Sequence, residues 1–189
     1  MMQGLNFLDT KITNFINSII LHNPFFDYFF SFFSLKGNSI FIWVLLIIIA
    51  LILEERKNPG IQKRDIIFVT TFLLSFFATS MLVTFVLKNI FQRPRPFFPT
   101  SNFQLQTANC PKDFSFPSGH ASAAFAAATV ITAFDKKRKW LYFLVAILIS
   151  LSRIYLGCHY FFDVVGGGFV GFTISYVILH LLPRFEESI

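Results

Sequence analysis

The sequence predicts an all-α fold, a polytopic transmembrane helical bundle with an amphipathic helix lying in the membrane interface ahead of it. Three observations carry that expectation. Hydrophobic residues make up 54% of the 189-residue chain and charged residues 14%, where a soluble domain carries roughly a quarter charged. Uncharged apolar runs recur at about the 20-residue length that crosses a bilayer core as a helix. The basic residues are gathered: eight of the sixteen Lys and Arg lie in "ERKNPGIQKR" and "KKRK".

Taken in order, Leu5, Leu8, Ile12, Ile16 and Ile19 share one helical face, opposite Asn6, Asp9, Thr13 and Asn17. That spacing predicts a helix in the interface. The aromatic run "PFFDYFFSFF" follows as a second interfacial piece or a re-entrant turn; a sixth, full span there is the weaker alternative, because Asp27 and Lys36 bracket too few residues. Five spans are expected: Ser39 to Leu53 with flanking residues recruited, Ile66 to Leu87, Pro117 to Phe134, Trp140 to about Leu156, and Val164 to Leu182. The start of the chain lacks the basic n-region and apolar h-region of a cleavable signal. With no repeat, linker or composition break, residues 1–189 read as one membrane domain, 1–37 being its interfacial part.

The net charge of +6 does not point to nucleic acid, because the two basic loops are separated by two spans and share one membrane face. By the positive-inside rule that face is cytoplasmic. Cys110 and Cys158 permit a disulfide without their spacing requiring one. Gly167 and Gly171, beside Gly166 and Gly168, form a small-xxx-small stripe of the kind that lets membrane helices pack closely. His22 reads as an interfacial polar residue, His180 lies toward the cytoplasmic end, and "RFEESI" reads as a solvated tail. Most of the 28 phenylalanines are expected to face lipid or pack helices.

The remaining polar residues collect on the opposite, outer face: Lys88, Arg93, Arg95, His120, Arg153, His159 and Asp163. Charges at membrane depth are costly and tend to mark function. Two or more arginines and a lysine with few acids nearby make an anion site, Arg offering a bidentate fork and Lys a point charge. In "FPSGHA", Pro117 and Gly119 suit the start of a helix. The N–H groups of Ser118, Gly119 and His120 would then be unpaired and free to face a phosphate. His159 and Asp163, four apart, would share a helical face. The carboxylate would hold the Nδ1 proton and leave Nε2 free to attack. His120 would protonate the leaving oxygen. Carboxylates for two-metal chemistry are too few, Asp163 and less plausibly Asp113; zinc through His120, Cys158 and His159 is the weaker alternative. The residues therefore point to phosphoryl transfer through a histidine, with neither metal nor cofactor.

These motifs resemble those of the type 2 phosphatidic acid phosphatases, or lipid phosphate phosphatases. "KNIFQRPRP" matches a lysine, six residues and Arg-Pro, from Lys88 to Pro96. Pro-Ser-Gly-His stands complete from Pro117 to His120. "SRIYLGCHYFFD", Ser152 to Asp163, meets the third part, in order and with unbroken spacing. The resemblance spans 88–163. It implies a nucleophilic His159 oriented by Asp163, with His120 as general acid and then base. It implies phosphoryl oxygens held by Lys88, Arg95, Arg153, Ser118 and the backbone of Gly119, without a metal. Arg93 adds a second Arg-Pro, but the family spacing selects Arg95.

What the resemblance implies as substrate is a lipid phosphate or diphosphate at the bilayer surface. Undecaprenyl diphosphate comes first, as in compact bacterial members; phosphatidylglycerophosphate, phosphatidate and lipid A phosphate are the alternatives. Specificity is expected to rest on helix faces and on the loop Phe97 to Phe114. Transfer to a lipid or sugar hydroxyl instead of water is the rival enzymatic class, and a lipid-binding or scrambling protein the non-enzymatic one.

Overall fold

A computed structural model describes residues 2–34, 38–56, 59–96 and 110–182. Most of the loop expected to govern specificity (97–109), Lys36 and the tail after Leu182 lie outside the described residues. Seven helices account for most of the described chain, and no strand occurs among the described residues. They are α1 (Met2–Ile19), α2 (Pro24–Ser34), α3 (Asn38–Glu55), α4 (Lys63–Phe91), α5 (Gly119–Phe134), α6 (Lys139–Tyr155) and α7 (Phe161–Leu181). All five expected spans are helices, displaced by at most a turn at their ends.

By length and hydropathy, α4 and α7 are each able to cross a membrane alone, and α5 is apolar but shorter. The axes of Pro24–Ser34 and Ser39–Glu55 differ by 70°. That makes α2 with α3 a broken span or a re-entrant turn, as the short aromatic run suggested, and not two straight crossings.

The centre of the bundle is α5, against which α4, α6 and α7 all pack. Its sequence explains why. Ala121, Ala124, Ala126, Ala127 and Ala128 are buried, and small side chains let neighbouring backbones come close. The glycine stripe of α7 meets it: a Cβ on Gly167 would lie 2.4 Å from the Ser118 carbonyl oxygen, and one on Gly171 would lie 2.0 Å from that of Ser122. Any larger residue there would push α7 off α5. Deeper in the bundle Phe68 stacks on Phe134 at 4.1 Å, and Trp43, Tyr142, Ala146 and Ile149 complete the core. Isoleucines, leucines and phenylalanines of α3, α4 and α7 remain on the outside, as a lipid-facing surface requires.

One expectation is corrected at α1. Its polar face does not look outward: Asp9, Thr13 and Asn17 are buried, while Phe7, Leu8, Phe15 and Ile19 are exposed. The helix packs on α6 and α7. Thr13 Oγ1 accepts the Phe161 N–H at 3.0 Å. The physical reason is the start of α7, whose first N–H groups have no intrahelical acceptor and draw the polar face inward.

Candidate active site

Every residue in the three motifs lies at one end of the bundle. Lys88 closes a π-helical stretch, Leu82–Leu87, a feature that often sits at functional sites. The helix ends at Gln92, which adopts φ 44°, and two prolines keep the following Arg93-Pro94-Arg95-Pro96 segment extended. Ser118 caps α5, its hydroxyl accepting from the Ala121 N–H. Its own N–H donates to the Asp163 carbonyl at 2.9 Å, so this amide is not free for an anion as the sequence suggested. Gly119 and His120 carry the remaining amides of that first turn.

His159 is not on a helix with Asp163. It stands in the turn between α6 and α7, after Gly157 at φ 68°, and α7 begins only at Phe161. The pair nevertheless meets, Nδ1 lying 3.6 Å from Asp163 Oδ2. That gap is longer than a hydrogen bond, and Ser115 fills it. Its hydroxyl donates to Asp163 Oδ2 and lies 3.4 Å from His159 Nδ1. Asp163 Oδ2 also accepts the Tyr160 N–H at 2.8 Å, and Oδ1 accepts from Arg93 Nη1 at 2.7 Å. On the far side of the ring, Arg95 Nη1 is 3.0 Å from Nε2. A guanidinium has only donors, so Nε2 is the acceptor and the proton sits on Nδ1, facing the carboxylate. Burial pushes the His159 pKa down to about 4, and the charges of Arg95 and Arg153 act in the same direction against Asp163. At neutral pH the imidazole is therefore neutral.

The cations surround this ring. Arg153 is 1% exposed and is held from behind by Ser34 of α2, whose hydroxyl and carbonyl receive Nη1. Its Nε and Nη2 are buried with no hydrogen-bond partner. Unsatisfied charged donors are expensive, and no described residue supplies these with an acceptor. Lys88 and Arg95 instead share one internal acceptor. Asp113 Oδ2 pairs with Lys88 Nζ, and Oδ1 with Arg95 Nη2 at 2.5 Å. Burial raises the Asp113 pKa, but the hydrogen bonds from Lys88 and Arg95 outweigh it and hold the carboxyl below its usual range. His120 feels the charges of Arg153, His159, Lys88 and Arg95.

Sequence reasoning missed Ser115, Ser34 and the part played by Asp113, and it set Arg93 aside. The second Arg-Pro was the visible signal for Arg93; Ser115 and Ser34 carried none. Cys110 and Cys158 form a disulfide, fastening the start of the Asp113–Ser115 segment to the residue before His159. The zinc alternative needed a free Cys158, but that sulfur is bonded to Cys110 and offers no thiolate to a metal. His22 stacks on Tyr155 at 4.4 Å, and His180 lies in the last turn of α7, far from Asp163.

Residues 67–187 match the model of the PAP2 superfamily, and the chain belongs to that family. The all-helical fold, with helices long and apolar enough to cross a membrane, agrees with that membership. Phosphatidylglycerophosphatase B of Bacillus subtilis is 33% identical over 62% of this chain and 58% of its own length. An undecaprenyl-diphosphatase of Sulfolobus acidocaldarius is 28% identical over 77% and 66%. The chain thus spans roughly three fifths to two thirds of these two relatives. Lipid A 4'-phosphatase of Bacteroides thetaiotaomicron is 29% identical over 100% of this chain and 84% of its own. The crystal structure of Aquifex aeolicus LpxE superposes with a TM-score of 0.65 at 28% identity, covering 92% of this chain and 95% of that one.

Proposed function

We propose that the protein hydrolyses a lipid phosphate or diphosphate through a phosphohistidine, without a metal, and that undecaprenyl diphosphate is its substrate. The observation that carries the chemistry is a buried neutral imidazole whose Nε2 faces Arg95, beside the unpartnered donors of Arg153. The terminal phosphate displaces Asp113 from Lys88 and Arg95, and its third oxygen meets Arg153 and the amides of Gly119 and His120. His159 Nε2 attacks phosphorus, the bond to the lipid-side oxygen breaks, and His120 gives that oxygen a proton. The imidazolium that forms is stabilised by Asp163. Water then attacks the phosphohistidine, His120 takes its proton, the P–N bond breaks and phosphate leaves. The preorganised cations act where negative charge builds in a site sheltered from water.

A hydrocarbon chain has a path beside the site. An open apolar cleft of about 410 Å³ lies between α5, α6 and α7, with Phe125, Phe143 and Phe169 among its walls. It reaches Ile154 and Val164, the sequence neighbours of Arg153 and Asp163. The site opens on the extracytoplasmic side of the bacterial inner membrane. Both the Lys and Arg bias toward the other face and the disulfide beside His159, a bond that persists in oxidising compartments, support this side. A second reading, a phosphate on lipid A, is favoured by the full-length match to a lipid A phosphatase.

The test is phosphate release by the detergent-purified protein, with excess chelator, from undecaprenyl diphosphate, lipid A, phosphatidylglycerophosphate and phosphatidate. Release should survive chelation, be fastest with undecaprenyl diphosphate and vanish in His159→Ala. Release lost to chelator, or retained in the variant, overturns the mechanism; a faster rate on another lipid reassigns the substrate.

A further inference from the structure

We propose that Asp9, on the N-terminal helix, is a positioning residue for the nucleophile pair, acting through Arg93. This rests on the histidine reading above and extends the machinery to a part of the chain outside the three motifs. Asp9 is 0% exposed although it lies on a helix whose opposite face is apolar and exposed. Its two oxygens have different tasks. Oδ1 accepts the Phe162 N–H at 2.9 Å, capping the helix that carries Asp163 one residue later. Oδ2 lies 2.7 Å from Arg93 Nη1, an ion pair without hydrogen-bond alignment. The same Nη1 donates to Asp163 Oδ1 at 2.7 Å. One guanidinium nitrogen therefore joins two buried carboxylates, while its plane lies over the Tyr160 ring at 4.2 Å.

The consequence is electrostatic as well as geometric. With Asp9 charged, Arg93 is shared, and Asp163 keeps enough negative potential to hold the Nδ1 proton and stabilise the imidazolium. With Asp9 neutral, Arg93 is drawn wholly to Asp163, which is then a poorer partner for His159. Capping alone does not require a carboxylate at this position. Thr13, one turn on, caps the neighbouring Phe161 N–H with a neutral hydroxyl while its own proton goes to the Asp9 carbonyl at 2.7 Å. A carboxylate within reach of Arg93 does something a hydroxyl would not.

The experiment is a double-mutant cycle of Asp9→Asn and Arg93→Gln in the full chain, with Thr13→Ala as the structural control. The readouts are kcat, KM, thermal midpoint and binding of orthovanadate, a phosphoryl transition-state mimic that needs no lipid. Asp9→Asn keeps the acceptor for Phe162 and should lower kcat by about 10- to 100-fold with little change in KM. Vanadate affinity should fall in parallel. The double variant should lose no more than Arg93→Gln alone, since Asp9 acts through that arginine. Thr13→Ala should lower the thermal midpoint and leave kcat within about 2-fold. Asp9→Asn that keeps wild-type kcat, or a loss that simply adds to that of Arg93→Gln, overturns the inference. A wild-type protein that neither releases phosphate nor binds vanadate overturns the histidine reading itself, and the inference with it.

Discussion

The two ends of the helix pair α4 and α5 both carry buried or half-buried charge, and they differ in whether that charge is satisfied. At one end Arg64 donates to Glu54 at 2.5 Å and to the Phe134 carbonyl at 2.8 Å. Close by, Asp135 receives the Tyr142 hydroxyl at 2.6 Å and pairs with Arg138. Some 24 residues along α4, about 36 Å at helical rise, Lys88, Arg93, Arg95 and Arg153 gather round three carboxylates among the described residues, Asp9, Asp113 and Asp163. Two Arg153 nitrogens have no partner. Closed pairs fasten helix ends together. An excess of desolvated donors favours an incoming anion, and that imbalance marks the candidate site more clearly than the presence of charge.

The largest effect expected from breaking the open end is at Arg153. Arg153→Met should cut kcat/KM for phosphate release by about 100-fold or more, as loss of one preorganised donor does. Arg153→Lys should recover only part of this, because a point charge lacks the planar fork. The pH dependence comes next. The proposed mechanism needs a neutral His159, and burial holds its pKa near 4, so on that mechanism protonation disables it only as pH falls toward that value. The acid limb of kcat/KM assigned to His159 should therefore lie well below the usual histidine value of about 6.5. Arg95→Gln should move that limb upward, since it removes a cation that opposes protonation.

A smaller effect distinguishes the borrowed acceptor from a structural one. Asp113→Asn should lower KM and tighten inhibition by inorganic phosphate by about 3-fold, the size of a partly exposed ion pair, because the internal carboxylate no longer competes. A fall in kcat with KM unchanged would make Asp113 a scaffold instead. The smallest change on activity is expected at the closed end. Asp135→Asn should lower the thermal midpoint in detergent and leave phosphate release within about 2-fold of wild type.

Much of the site was legible because phosphoryl transfer constrains residue type over short stretches. Lys88 to Arg95, Pro117 to His120 and Arg153 to Asp163 are each local, and each lies at the end of a helix that hydropathy alone reveals. What stayed hidden came from pairing across the chain. Asp9 meets an arginine 84 positions away, and its helix looked like a lipid-surface element until its polar face was found turned inward. Ser115 stood in a segment with no periodicity, and Ser34 was one small residue in an aromatic run. The free amide expected at Ser118 was lost to Asp163 because the α7 glycines bring the two backbones into contact.

The sequence by itself determined the helical membrane class of the fold and gathered three short motifs at the ends of its helices. Long uncharged runs admit no other structure in lipid, since every backbone polar group must be satisfied within its own segment. Only the tertiary structure decided which acceptors each cation receives. It gave Arg93 to two carboxylates, lent Asp113 to Lys88 and Arg95, and left two nitrogens of Arg153 without an acceptor among the described residues. Those assignments depend on distances of a few ångströms between helices far apart in the chain, and the strength of a buried charge interaction is set by such distances and by the burial around it.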